Sequence, residues 1–304
     1  MRVAVVDIGT NSTRLLVAEL EDGQIAELER RTTVTRLGEG LEASGRLSDT
    51  AIARVSDALA AYRESIDRLG AERVVAVATS AMRDAANGPE FRDEIQRRFG
   101  LDARTISGDE EARLTFLGAT AGREAGAETL VIDIGGGSTE YVTGLPSSDP
   151  GFHVSTRMGS VRHTERHLHR DPPEAPELAA LAEDARSIVE SDVPADVRER
   201  VEAGIAVAGT ATSLAAIDQE LDPYDPERVH GYRLSRASCE RLVARLAELP
   251  LAERRELAGL HPDRAPTIVA GAGILLESIR AFGLDEIEIS ENDILQGAAL
   301  ASGK

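Results

Sequence analysis

Three short glycine-bearing segments have the residue types to hold phosphate: Gly9-Thr10-Asn11-Ser12, Gly135-Gly136-Gly137-Ser138-Thr139 and Gly209-Thr210-Ala211-Thr212-Ser213. Each follows an aliphatic run and is expected to turn the chain at a strand end. Backbone N–H groups then stand clear of side chains in a concavity that suits phosphate oxygens. Acidic residues accompany the first two turns: Asp7, Asp133, and Glu140 two residues past Ser138. Carboxylates beside a phosphate repel it unless a hard cation intervenes, so these three are candidates for a Mg²⁺ site. Arg83, after the strand-like run 73–79, could reach a phosphate or form a surface ion pair. Glu110 and Glu111 open an expected helix, where acidic residues favour the positive end; position alone makes both decoration. The stretch 157–170 gathers Arg157, Arg162, Arg166 and Arg170 with His163, His167 and His169 in an otherwise acidic chain. It reads either as a strip for a long anion or as plain surface helix. His163 and His167 stand at i and i+4, but without a third ligand nearby in sequence their spacing does not define a metal site.

The elements that must position these residues repeat. Val3 to Ser12 is echoed by Thr129 to Ser138: a β-branched run, an Asp, Ile-Gly, two further residues and a Ser, then a second apolar stretch. Both copies read as strand, tight turn, strand. Their spacing suggests two domains of like topology, expected at 1–125 and 126–304, with a final helix at 292–302 packing back on the first domain. A cleft between them would see both turns. Between the copies, Ile52, Val55, Leu59, Tyr62, Ile66 and Leu69 recur at steps of three and four, after Ser48 as N-cap and before Gly70 as stop, so they predict an amphipathic helix. Further helices are expected at 91–99, 109–125, 235–249 and 267–282, from Ser160 and Glu174, and after Gly209. Strands are expected at 73–79, 103–106, 151–156, 204–208 and 286–290, with 146–151 as a hairpin loop. Strands alternating with helices argue for an α/β architecture.

Composition narrows the functions. The 304 residues carry 34 Lys plus Arg against 53 Asp plus Glu, a formal charge of -19, with no Trp and 3% aromatics. That balance opposes nucleic-acid binding, which draws on phosphate neutralisation and base stacking. The one cysteine, Cys239, can form neither an internal disulfide nor a thiolate metal cage. No stretch approaches the roughly 20 apolar residues of a membrane span, and no targeting segment is visible, so a cytoplasmic protein without a membrane partner is expected. All basic residues but Lys304 are arginine, the side chain that grips phosphate in a bidentate fork.

Five segments resemble the exopolyphosphatase and guanosine pentaphosphate phosphatase family, within the actin, sugar-kinase and heat-shock chaperone superfamily. They are Asp7 to Ser12, Ile106 to Leu114, Val131 to Glu140, Met158 to Glu165 and Ala208 to Thr212. The resemblance runs almost end to end and implies an α/β fold of two ribonuclease-H-like, actin-like domains flanking a central cleft. It implies Glu111 as the base that activates water, against its reading as decoration. It also implies Asp133 and Glu140 as magnesium-site carboxylates, with Mn²⁺ as substitute and Asp7 as the further candidate. Arg83, Asn11, Ser12, Gly135, Gly136, Gly137, Ser138, Gly209 and Thr210 become the phosphate-binding set. The chain resembles the short two-domain type, which implies short inorganic polyphosphate as substrate and leaves a homodimer open. Guanosine pentaphosphate is the rival substrate; a non-catalytic guanosine-nucleotide sensor and an ATP-using kinase are rivals of other classes.

Overall fold

The computed structural model describes residues 1–21, 23–124, 126–146 and 148–303. The expected domain boundary at Ala125, Ser147 in the expected hairpin loop, and Lys304 lie outside them. The chain divides into two compact units: Met1–Gly122 with Asp293–Lys304, and Arg123–Asn292.

The first unit holds β1 (Arg2–Ile8), β2 (Ser12–Glu21), β3 (Gln24–Val34), β4 (Arg73–Ala78) and β5 (Ala103–Thr105) in the order β3-β2-β1-β4-β5. The first three pair antiparallel, and β4 and β5 join parallel through helical crossovers. This is the ribonuclease-H-like sheet. Alternation along β1 serves two faces: Ala4, Val6 and Ile8 pack with Val55, Leu59, Tyr62 and Ile66 of the Asp49–Leu69 helix, while Val3 and Val5 pack with Leu295, Ala298 and Ala299 of the Ile294–Ser302 helix. Sequence reading missed β3, because Gln24–Val34 lies at the sheet edge with much of its length exposed and carries charges where a core strand carries aliphatics.

The second unit repeats the pattern with β6 (Thr129–Ile134), β7 (Thr139–Gly144), β8 (Phe152–Thr156), β9 (Ala203–Val207), β10 (Arg233–Ser235) and β11 (Glu286–Ile289), ordered β10-β11-β9-β6-β7-β8. Leu130, Ile132, Ile134 and Tyr141 form one core with the Ile268–Ala281 helix, and Tyr141 Oη lies 2.6 Å from Ser278 Oγ. Among the described residues no helix is long and apolar enough to cross a membrane.

Most expected elements form with ends shifted by one to three residues, and two larger or better-explained shifts have a local cause. The helix expected over 109–125 is Gly108–Thr120; Thr120 turns its hydroxyl back onto the Phe116 carbonyl and Ala121 leaves the helix with extended ψ. The strand expected through Ala208 ends at Val207, because Ala208 takes φ 64° and opens the next helix.

Candidate active site

Each repeat places a carboxylate at the end of its first strand and closes the following turn identically. Gly9 N donates to Ser12 O and Gly135 N to Ser138 O, both at 3.0 Å. The two copies then diverge at one register position. In the first unit Asp7 pairs across the hairpin with Arg14, and in the second Asp133 pairs with Glu140. Directly opposed residues on neighbouring strands share a face of the sheet. One unit therefore sets an arginine beside its aspartate where the other sets a second carboxylate.

The consequences are electrostatic. Arg14 donates from Nε and Nη2 to Asp7 Oδ2 at 2.9 and 2.8 Å, and from Nη1 to Asp293 Oδ2. Burial pushes the Asp7 carboxyl up, against the pull of Arg14. Its Oδ1 is buried and has no hydrogen-bond partner among the described residues. Asp293 also caps the Ile294–Ser302 helix by accepting from Leu295 N at 3.0 Å, so that helix is tied to Asp7 through one guanidinium. In the second unit no arginine occupies the matching position. Asp133 is 6% and Glu140 1% exposed, and Ser155, opposite Glu140 on β8, donates to its Oε1 at 2.6 Å. Two buried carboxylates face to face are an oxygen-only donor set, chemistry that suits a hard divalent cation.

Glu111 and Glu110 separate clearly. Glu111 is buried, 7% exposed, and Arg83 Nη1 lies 3.3 Å from its Oε2 while also donating to Ile106 O at 2.9 Å. Glu110 points outward into a two-bond pair with Arg104 at 2.7 and 2.5 Å. Arg83 lies in the last turn of the short Ser80–Asp84 helix, whose Ala81 N donates to Thr10 Oγ1 at 3.1 Å. The first glycine turn, Arg83 and Glu111 are thus joined by consecutive contacts. Asn11 and Ser12 stand in that turn and at the start of β2, and the Asn11 carbonyl accepts from Thr35 and Arg36 N at 3.0 and 2.9 Å.

At the second turn, Gly136 O accepts from Val161 and Arg162 N at 2.9 and 3.1 Å, and buried Arg162 donates from Nε to Gly137 O at 2.9 Å. A Cβ at Gly159 would stand 2.6 Å from Gly137 N, which explains a glycine there. With carbonyls occupied on this side, Gly135, Gly136, Gly137 and Ser138 form a fixed loop. The third segment differs from an open turn. Gly209 and Thr210 lie within the first turn of the Ala208–Asp218 helix, and the Arg264 guanidinium sits where a Gly209 side chain would project.

The basic stretch is not one surface strip. Arg162 is buried, Arg166 meets Asp184 at 3.3 Å, and Arg170, past the helix end at His167, meets Glu174 at 3.4 Å. His163 is buried among these charges, and desolvation pushes its imidazole down to about 4. Residues that sequence reading missed are Arg14, Asp293, Ser155 and Arg264. Only Arg14 left a signal, since a strand-turn-strand reading of 3–18 already opposes it to Asp7.

Two ribonuclease-H-like units bearing glycine turns, buried carboxylates and arginines define a protein built to handle phosphate. The model of the Ppx/GppA phosphatase family matches residues 16–300. The chain belongs to that family. It is 38% identical over 314 residues to exopolyphosphatase 2 of Mycobacterium tuberculosis, covering 99% of this chain and 98% of the relative. Exopolyphosphatase 1 of Mycobacterium bovis is 30% identical, over 99% of this chain and 88% of its own. The solved Ppx/GppA family member of Aquifex aeolicus superposes with a TM-score of 0.83 at 32% identity, covering 100% of this chain and 97% of that one.

Proposed function

We propose that this chain is an exopolyphosphatase that hydrolyses the terminal phosphoanhydride of inorganic polyphosphate, releases orthophosphate, and prefers short chains. The observation that carries this reading is the full-length likeness to mycobacterial exopolyphosphatase 2. In the proposed reaction Glu111 takes a proton from the attacking water, the water oxygen bonds to the terminal phosphorus, and the bridging oxygen leaves with the shortened chain. Arg83 has two tasks: it holds Glu111 and offers guanidinium charge to the phosphate. The backbone N–H groups of the Gly9 to Ser12 and Gly135 to Ser138 turns orient phosphate oxygens, as do those at Gly209 and Thr210. Positioning and charge stabilisation supply most of the catalysis in phosphoryl transfer. Asp133 and Glu140 would hold Mg²⁺ or Mn²⁺. When bound, the ion neutralises phosphate charge that these carboxylates would otherwise repel. A sensor needs no base, so buried Glu111 favours an enzyme.

Phosphate release measured side by side on short polyphosphate, long polyphosphate and guanosine pentaphosphate tests the reading. Turnover should be fastest on short polyphosphate; release from guanosine pentaphosphate alone would overturn it in favour of the nucleotide phosphohydrolase. Chelation should abolish release and Mg²⁺ restore it. Ser155→Ala, which removes the hydroxyl supporting Glu140, should raise the Mg²⁺ concentration needed for half-maximal release by about 10- to 100-fold. An unchanged Mg²⁺ dependence in that variant would remove Glu140 from the metal site.

A further inference from the structure

Two imidazoles and a carboxylate converge on the helices that follow β8. His163 and His167 stand one turn apart on the Ser160–His167 helix, and Asp184 comes from the Ala175–Asp192 helix. One ligand atom from each lies within 4.8 Å of the other two. His167 Nε2 is 2.8 Å and His163 Nε2 3.5 Å from the same oxygen, Asp184 Oδ2. A tetrahedral ion with bonds of about 2.0–2.1 Å keeps its ligand atoms roughly 3.3 Å apart, so small side-chain rotations complete the geometry. Independently, His163 is fully buried, and neither of its ring nitrogens has a hydrogen-bond partner among the described residues. A buried imidazole left without a partner is costly, and a ligated one is not.

We propose that His163, His167 and Asp184 form a binding site for a divalent transition-metal ion of the zinc class, separate in donor chemistry from Asp133 and Glu140. Two nitrogens and one oxygen favour zinc, cobalt or nickel over magnesium, which takes oxygen. Arg166 shares Asp184 Oδ2 at 3.3 Å, but its side chain is 36% exposed and can turn to water when the ion takes that oxygen. Asp184 is partly exposed, which leaves water as a further ligand. The ion would clamp the Ser160–His167 helix to the Ala175–Asp192 helix. Because Val161, Arg162 and Ser160 bind the carbonyls of Gly135 to Gly137, the clamp would also steady the second glycine turn.

Cobalt(II) titrated into the intact chain in excess Mg²⁺, which saturates oxygen-only sites, reads this out without any activity assay. One equivalent should bind with the intense visible absorption of a tetrahedral nitrogen-ligated ion, and zinc should displace it and raise the unfolding temperature. His163→Leu, an apolar replacement at a buried position, and His167→Gln should each lose both the absorption and the zinc-dependent shift. Absence of the absorption in the parent chain, or its persistence in either variant, overturns the proposal. Should His163→Leu fail to fold, His167→Gln decides alone.

Discussion

Glu111→Gln will lower turnover by about 10²- to 10⁴-fold while leaving substrate binding intact, the loss expected when a general base is removed. Glutamine keeps the volume and the reach to Arg83, whose second bond, to Ile106 O, is untouched. What it lacks is a lone pair basic enough to take the water's proton. Removing a negative charge beside a polyanion also favours binding, so a reduced kcat with an unchanged or lower KM is the expected pattern. Glu110→Gln is the internal control. Its carboxylate is spent on Arg104 at the surface, and exposed pairs contribute little, so turnover and stability should stay close to the parent. Equal kinetics in the two variants, with both folded, would assign the base elsewhere.

Gly297→Ala will destabilise the first unit by about 3 kcal/mol, as overpacking at a closed contact does. The sign is what makes this informative. In an unencumbered helix, alanine is better than glycine by about 1 kcal/mol. Here the Ile294–Ser302 helix crosses the Gly108–Thr120 helix backbone to backbone: a Cβ at Gly297 would lie 2.6 Å from the Leu114 carbonyl carbon, and one at Gly118 would lie 2.8 Å from Gly297 N. The helices must separate to admit either methyl. Since Asp293 caps that helix and shares Arg14 with Asp7, separation also loosens the Asp7 carboxylate. Denaturant unfolding of Gly297→Ala, Gly118→Ala and the double variant should show two large losses that do not add, because both act at one crossing. A stabilised Gly297→Ala would mean that the crossing relaxes freely.

The residues that set the local geometry were readable from the chain. Asp7 and Arg14, like Asp133 and Glu140, stand seven positions apart, and a tight turn between two strands leaves each pair opposed. The alternation of Val3 to Ile8 and the threefold and fourfold steps from Ile52 to Leu69 likewise specify elements, because they reflect burial of one face or two. The clustering of Arg162, Arg166 and Arg170 in sequence did not make one surface face, since the helix stops at His167 and Arg162 is drawn inward by the Gly137 carbonyl. Periodicity states that a face is buried, never against what. The neighbours of Arg14, His163 and Gly209 were therefore decided by tertiary packing. Asp293, Asp184 and Arg264 each come from a distant helix or loop whose position depends on close-packed contacts between elements. Those contacts also separate Glu111 from Glu110: both are acidic residues in one first turn, and only the packed structure turns one toward Arg83 and the other to the surface.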